Sequence, residues 1–234
     1  MSPEITVYLL KALIIVPGML VAITLHEASH GYVAWKLGDD TAFRLGRVTF
    51  NPLRHIDPMG TIIMPGLILL ATNFSFMFGY AKPVPVNFRR LRNPRRDMVL
   101  VAAAGPGSNI LIALVSAIAL RFVPGTATMT TAIVSEIFMY SVFFNVMIGV
   151  FNMIPLPPLD GGRVAVGLLP YPLAVRLARL ERFGMIILLI ALIGLPLIGQ
   201  QMGKDLNVLS WIIMPIVDYV QGLIYFVTGN VGGR

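Results

Sequence analysis

Residues 13–30 read LIIVPGMLVAITLHEASH, in which a metal-binding pattern directly follows an apolar run of the kind found in membranes. His26 and His30 are four residues apart, so in a helix both imidazoles lie on one face and can reach one zinc ion. Glu27 can reach a water activated by that metal and act as a general base. Ionisable groups are costly inside a membrane, so the pattern predicts a zinc hydrolase site rather than a chance match with helix-packing histidines.

The composition is that of an integral membrane protein. Hydrophobic residues make up 56% of the 234 residues, charged residues make up 12%, and the mean hydropathy is +0.80. We therefore expect a single membrane-embedded domain over residues 1–234. The absence of cysteine excludes disulfides and thiolate metal sites. The net charge of +7 comes from basic clusters beside apolar runs, which is a topology signal, and we expect no nucleic-acid partner.

The apolar runs and the breaks between them predict an all-α polytopic membrane protein. We expect five transmembrane helices, at about 4–37, 94–122, 130–154, 181–199 and 206–228. Residues 60–78 are apolar but interrupted by Pro65-Gly66, which favours a re-entrant segment. Alternation at 42–50 predicts a short β-hairpin, and the prolines in 79–87 predict an extended segment, so small membrane-associated β elements complete the fold.

The distribution of basic residues predicts the topology. If residues 60–78 re-enter, Lys11, Arg121 and Lys204 face one side, and every other lysine and arginine faces the other. This division follows the positive-inside rule better than a full crossing of residues 60–78. We therefore expect an N-terminus outside, a C-terminus in the cytoplasm and an active site toward the cytoplasmic side. In a bacterium or archaeon this places the multi-pass chain in the cell membrane.

A catalytic zinc site takes three protein ligands and keeps one position open. The strongest candidate for the third ligand is Asp160, within the stretch NMIPLPPLDGG at residues 152–162. Its three prolines unwind the backbone, and irregular backbone at membrane depth lines a cavity or is buried in protein. Taken alone, Asp160 is equally well explained as an ordinary helix-end aspartate.

Two further polar side chains stand out. Asn109 ends the stretch GPGSN at residues 105–109, inside a hydrophobic helix. Its amide can hold a substrate carbonyl or a developing oxyanion, or it can bridge two helices. His55 lies in the polar stretch 51–58, where it can fold over the site as a gate or hydrogen-bond donor, or remain an ordinary surface-loop histidine.

The stretch GYAKPVPVN at residues 79–87 is the candidate for substrate docking. Lys82 can anchor it at the membrane interface, while Pro83 and Pro85 keep it extended. Val84 and Val86 can then offer backbone N–H groups to an unwound substrate strand by β-strand addition.

Taken together, HEASH, GPGSN and NMIPLPPLDGG resemble, in content and order, the site-2 protease family of intramembrane zinc metalloproteases. The resemblance covers a catalytic core of about residues 10–165 and leaves two C-terminal helices at about 181–228. It implies that His26, His30 and Asp160 hold Zn²⁺ and that Glu27 activates water. It also implies that Asn109 binds substrate near the scissile carbonyl, with Asn152 supporting the ligands. Residues 79–87 are similar to the family's membrane-associated β-loop.

The resemblance implies an endopeptidase that cleaves within or near the transmembrane segments of membrane proteins, in contact with the bilayer. We expect a minimal member without PDZ or CBS modules. A membrane protease with a glutamate as third zinc ligand is disfavoured, because Glu136 and Glu181, the only later glutamates, lack the small-residue context of such a ligand. The alternative from another class is a noncatalytic metal-binding membrane chaperone or transporter, against which the presence of Glu27 argues.

Overall fold

The structure is a computed structural model that describes residues 3–71, 79–125 and 128–230. Within these ranges five helices are long and apolar enough to cross a membrane. They are Leu13–Lys36, Pro94–Arg121, Met129–Asn152, Glu181–Gln201 and Ser210–Val227. The predicted number and positions of the long apolar helices are therefore confirmed, and the chain is an integral multi-pass membrane protein.

The described residues form ten α-helices. Their bounds are α1 Pro3–Lys36, α2 Thr41–Arg44, α3 Met64–Ala71, α4 Pro94–Arg121, α5 Met129–Asn152, α6 Asp160–Leu168, α7 Tyr171–Arg179, α8 Glu181–Leu189, α9 Leu195–Gln201 and α10 Met214–Val227. π-Helical turns at Ile190–Gly194 and Leu209–Ile213 join α8 to α9 and lead into α10. Helices α6 and α7, which lie between the apolar runs, were not predicted from the sequence.

Helix α4 is the centre of the bundle, since it packs against α1, α5, α6 and α10. A buried cluster at the C-terminal half of α4 contains Ala113, Ala117, Val142, Val146 and Val217. Small side chains on α4 let neighbouring helices approach closely, which is how helices associate in membranes. The packing of α4 against both α1 and α6 brings the HEASH stretch next to Asp160.

The C-terminal end of α1 and the N-terminal end of α4 lie together, which agrees with the prediction that their basic residues share one face. The Arg92 N–H, just before α4, donates to the Leu37 carbonyl, just after α1, at 3.1 Å. The predicted topology, in which successive helices cross the membrane in alternating directions and the C-terminus is cytoplasmic, is wrong for α10. The Asn230 side chain donates to the Ala117 carbonyl at 2.8 Å, and Arg121 donates to the Thr228 carbonyl at 3.3 Å. Helix α10 therefore ends beside the end of α4, whereas five strict crossings would end it at the opposite face. The number of apolar runs in a sequence does not show the direction in which one of the helices lies.

The β-hairpin predicted at residues 42–50 is wrong. The Thr41 N–H bonds the Asp39 carboxylate at 3.1 Å and starts α2, and the Phe43 ring stacks on Trp35 at 4.3 Å between centroids. A short helical turn packed on the end of α1 thus replaces an isolated hairpin, which is marginally stable without a third strand. The described residues contain no strand at all, so the 79–87 segment lacks the strand pairing that the β elements of the fold class required.

The segment predicted to re-enter begins as a π-helical turn, Pro58–Ile63, that continues into α3. It is too short to count among the five candidate spans. Residues 72–78 of the predicted segment lie outside the described ranges. Beyond them, the Tyr80 N–H donates to the Gly60 carbonyl and Thr61 Oγ1 donates to the Tyr80 carbonyl, both at 3.0 Å. The chain therefore returns to the point at which this segment began.

Candidate metal centre

Three buried side chains from two distant parts of the sequence meet at one point. Asp160 Oδ2 lies 3.1 Å from His26 Nε2 and 3.2 Å from His30 Nε2, and the two Nε2 atoms are 3.1 Å apart. The histidines come from successive turns of α1, while Asp160 is the first residue of α6. This triangle is the only group of metal-ligand side chains found among the described residues.

The other nitrogen of each imidazole already has a partner. His30 Nδ1 lies 2.7 Å from the Val101 carbonyl, and His26 Nδ1 lies 2.6 Å from Asn109 Oδ1. Both partners are acceptors, so each Nδ1 carries the proton and each Nε2 presents a lone pair. Two lone pairs and a carboxylate oxygen therefore point at one another.

Such a convergence of acceptors fits a bound cation. Asp160 Oδ2 is buried and receives no hydrogen bond within the described part of the chain. Tetrahedral zinc ligands at bond lengths of about 2.0–2.1 Å lie about 3.4 Å from one another, close to the observed edges. Asp160 would bind the metal as a carboxylate, the form in which this side chain acts as a metal ligand.

Gly105 makes the close approach of α4 to this centre possible. A Cβ at this position would overlap His30 Nε2 and lie 2.7 Å from His26 Cε1. Any side chain here would push the rings apart or displace α4. The glycine of GPGSN therefore serves the metal centre directly, a role that helix packing alone did not predict.

Asp160 reaches the centre through the proline-rich loop between α5 and α6. This loop folds tightly, with hydrogen bonds from Leu156 to Ile154 and from Leu159 to Leu156. At the far end of α6, Arg95 Nε donates to the Gly167 carbonyl at 2.9 Å. Helix α6 is thus tied to the start of α4, and its first residue is directed at the histidines.

Glu27 lies beside the triangle and accepts a backbone hydrogen bond. The Val84 N–H donates to Glu27 Oε2 at 2.8 Å, although the two residues are 57 positions apart. Val84 is buried over Gly31, where an added Cβ would lie 3.0 Å from the Val84 side chain. The 79–87 segment is therefore positioned on the active face of α1, and one of its N–H groups orients the candidate base.

Alternate residues of the 79–87 segment face the protein. The N–H groups of Tyr80, Lys82 and Val84 donate to Gly60, His55 and Glu27 respectively. In an extended chain the intervening residues face the opposite way. Two of these are Pro83 and Pro85, which lack an N–H group, so the outward edge is dominated by carbonyl acceptors.

His55 and Arg47 hold this segment in place. The His55 carbonyl accepts from the Lys82 N–H at 2.9 Å, and Arg47 Nη2 donates to the Lys82 carbonyl at 2.7 Å. His55 is buried, so the surface-loop interpretation is wrong, and its ring bonds the Thr49 carbonyl through Nε2. Burial lowers the pKa of Arg47 and the Glu27 carboxylate opposes that shift. Arg47 was missed because a lone arginine in a polar loop carries no local signal.

Asn109 is fully buried, and all of its polar atoms are used. It accepts from His26 and donates to the Ala22 carbonyl at 3.2 Å and to Asn145 Oδ1 at 2.9 Å. This geometry favours support of His26 over direct contact with substrate. Asn145, which is also fully buried, was missed, although an asparagine amid the apolar residues of α5 is itself a signal.

The remaining predicted site residues form no hydrogen bond or ion pair with the triangle among the contacts of the described residues. Asn152 is half-buried at the end of α5, where its amide donates to the Ile148 carbonyl at 3.0 Å. Lys82 is exposed, as an interfacial anchor would be. Val86 packs against the buried cluster that contains Ala34 and Leu91. Their predicted roles stay predictions.

Comparison with known proteins agrees with this geometry. The model of peptidase family M50 matches residues 123–193. The protein named "Putative zinc metalloprotease YwhC" of Bacillus subtilis is 39% identical over 176 residues, which are 74% of this chain and 76% of that protein. "Putative zinc metalloprotease Rip2" of Mycobacterium tuberculosis strain H37Rv is 29% identical over 191 residues, or 81% of this chain and 70% of that protein.

The Rip2 protein of Mycolicibacterium smegmatis is 28% identical over 151 residues, which cover 64% of this chain and 54% of that protein. No solved structure matches the chain significantly. The family match includes Asp160 and the loop before it, and the similarity to YwhC extends over 74% of the chain. The chain belongs to peptidase family M50, the site-2 protease family of zinc metalloproteases.

Proposed function

We propose that this zinc metalloprotease is an endopeptidase that cleaves membrane proteins within or beside their transmembrane segments. The observation that carries the proposal is the convergence of His26, His30 and Asp160 on one point. The two histidines and Glu27 belong to α1, a helix apolar enough to span a membrane. A centre enclosed by apolar helices is reached most directly by a substrate that is itself in the bilayer.

His26, His30 and Asp160 are the proposed ligands. They would hold a zinc ion whose Lewis acidity would lower the pKa of a water to about 7 and polarise the scissile carbonyl. Glu27 takes the proton from the attacking water and passes it to the departing amide nitrogen. The Val84 N–H bond holds the Glu27 carboxylate in one orientation for this transfer.

A transmembrane helix must be unwound before one of its peptide bonds can be attacked, because its backbone groups are shielded by internal hydrogen bonds. We place the extended substrate along the outward edge of the 79–87 segment. This edge offers carbonyl acceptors from Ala81, Pro83 and Pro85, which match substrate N–H groups released by unwinding. Arg47 and His55 keep the inward edge occupied, so that the outward edge stays free.

The proposed orientation places the start of α4 in the cytoplasm, together with the metal centre. The basic residues from Arg89 to Arg96 support it through the positive-inside rule. We propose that the chain does not cross the bilayer between Gly60 and Tyr80, because the Tyr80 N–H bonds the Gly60 carbonyl. A helix crossing the bilayer would separate these positions by about 30 Å.

Replacement of a ligand tests the centre. We expect His26→Ala and Asp160→Asn each to lose most bound zinc, because a catalytic zinc takes three protein ligands and each variant keeps only two. Metal content of the purified protein is the measurement, and Asp218→Asn, at an exposed carboxylate of α10, is the matched control. Full zinc occupancy in both ligand variants would remove the assignment.

Glu27→Gln separates catalysis from metal binding. We expect it to keep zinc and fold but to reduce cleavage of a transmembrane substrate by about 10²–10⁴-fold, the usual contribution of a general base. Cleavage rate and zinc content are measured on the same preparation. Wild-type turnover would mean that Glu27 is not the base, while loss of zinc together with activity would make it a ligand.

Proline substitution tests the 79–87 segment. Val84→Pro removes the N–H that orients Glu27, and a hydrogen bond to a charged group corresponds to about tenfold to hundredfold in rate. Val86 continues the inward-facing set and packs against Ala34 and Leu91, so Val86→Pro would disturb the packing of the segment on the protein. We expect cleavage to fall there too, with zinc content unchanged in both. Gly125→Pro, in the exposed loop after α4, is the control. Wild-type rates in both valine variants would disprove docking on this segment.

Single cysteines test the orientation, since the natural chain has none. Asn93 precedes α4 and Gly125 follows it. We expect cysteines introduced at these two positions to react with an impermeant thiol reagent from opposite faces of the membrane. Val227, at the end of α10, should react from the same face as Gly125 because Thr228 bonds Arg121. Reaction of Asn93 and Gly125 from one face would overturn the orientation.

A further inference from the structure

We propose that Asn145 is a positioning residue of the metal centre that determines, through Asn109, which nitrogen of His26 is available to the metal. The inference rests on the ligand set proposed above. Asn145 belongs to α5 and acts across two helix interfaces, from α5 to α4 and from α4 to α1.

The connection is a continuous chain of hydrogen bonds. His26 Nδ1 meets Asn109 Oδ1 at 2.6 Å, Asn109 Nδ2 meets Asn145 Oδ1 at 2.9 Å, and Asn145 Nδ2 meets the Ser141 carbonyl at 2.9 Å. Asn109 and Asn145 are both 0% exposed, so water cannot substitute for a missing partner.

The chemistry of the last acceptor sets the direction of every bond in this chain. A backbone carbonyl only accepts, so Asn145 must turn its NH₂ group toward Ser141 and its oxygen toward Asn109. Asn109 must then turn its NH₂ group toward Asn145. A second carbonyl, that of Ala22, receives its other proton at 3.2 Å and favours the same orientation.

The orientation of Asn109 fixes the tautomer of His26. Asn109 presents its oxygen to Nδ1, so Nδ1 is the protonated nitrogen and Nε2 keeps the lone pair that faces Asp160. The opposite tautomer would set two acceptors against each other at 2.6 Å in an apolar interior, where an unpaired polar group is costly. Partners behind a ligating histidine typically change metal affinity by about 10–100-fold.

Packing leaves Asn145 little freedom to choose another orientation. Val142 and Val146, on either side of it in α5, are both 0% exposed and belong to the buried cluster formed with α4 and α10. An amide enclosed in this way keeps the orientation that the Ser141 carbonyl selects, and it passes that orientation on to Asn109.

The test measures zinc affinity of the full-length holoenzyme by competition with a chelator. We expect Asn145→Leu and Asn145→Ala to release zinc at about 10–100-fold lower free chelator, with the thermal unfolding of the apoprotein used to check the fold. The smaller alanine variant serves where leucine prevents folding. Ser141→Ala is the matched control, because it keeps the carbonyl that Asn145 needs and removes only a hydroxyl 3.5 Å away.

A second readout reports the tautomer itself. The chain has three histidines, so the ¹⁵N spectrum of histidine-labelled protein is simple to assign with His55→Gln and His26→Ala variants. We expect His26 to be protonated at Nδ1 in the wild type and in Ser141→Ala, and to lose this uniform state in Asn145→Ala. A purely structural role of Asn145 would lower stability without changing the tautomer.

The outcomes distinguish this inference from the proposed function. If His26→Ala keeps its zinc, the ligand assignment itself fails. If His26→Ala loses zinc while Asn145→Ala retains wild-type affinity and an Nδ1-protonated His26, the centre stands and the proposal for Asn145 is overturned. Weaker zinc binding together with mixed tautomers in Asn145→Ala supports the proposal.

Discussion

Mutual repulsion among His26 Nε2, His30 Nε2 and Asp160 Oδ2 is the constraint on which the rest of the structure depends. Three electron-pair donors within 3.2 Å of one another are unfavourable in an apolar interior without a shared cation. Holding them together requires that α1, α4 and α6 be fixed relative to one another. Most polar contacts between these helices are used for that purpose.

The surrounding helices supply this rigidity in different ways. Gly105 lets α4 approach the two rings, and the Val101 carbonyl fixes the ring of His30. The Asn109–Asn145 pair fixes the ring of His26 from the opposite side. Each imidazole is therefore held by α4, and a displacement of this one helix would disturb both ligands at once. The central position of α4 in the bundle has a functional reason as well as a packing one.

The 79–87 segment links the proposed substrate-binding edge to the candidate base. Its inward N–H groups are occupied by Gly60, His55 and Glu27, and Arg47 holds the Lys82 carbonyl. One short segment therefore orients the base and presents its other edge outward. A substrate strand bound to that edge would lie beside the metal centre, because the backbone that binds it also donates a hydrogen bond to Glu27.

Local spacing in the sequence determined the apolar helices and the pairing of His26 with His30, because residues four apart in a helix share a face wherever that helix lies. It also indicated Asp160, through the prolines that unwind the chain before it. The resemblance carried by three short stretches then predicted the family. These inferences depend on neighbours within a few residues, which a sequence displays directly.

Only the tertiary structure decided the partners of these groups. The Val84–Glu27, Asn109–His26 and Asn109–Asn145 bonds join residues 57, 83 and 36 positions apart, and no periodicity relates such positions. The burial of His55, the helical turn in place of a hairpin and the direction of α10 likewise follow from contacts with distant elements. The sequence thus determined which chemical groups the site contains. The tertiary structure decided how each is oriented, because hydrogen-bond direction inside a membrane protein is set by whichever acceptor the folded chain places opposite.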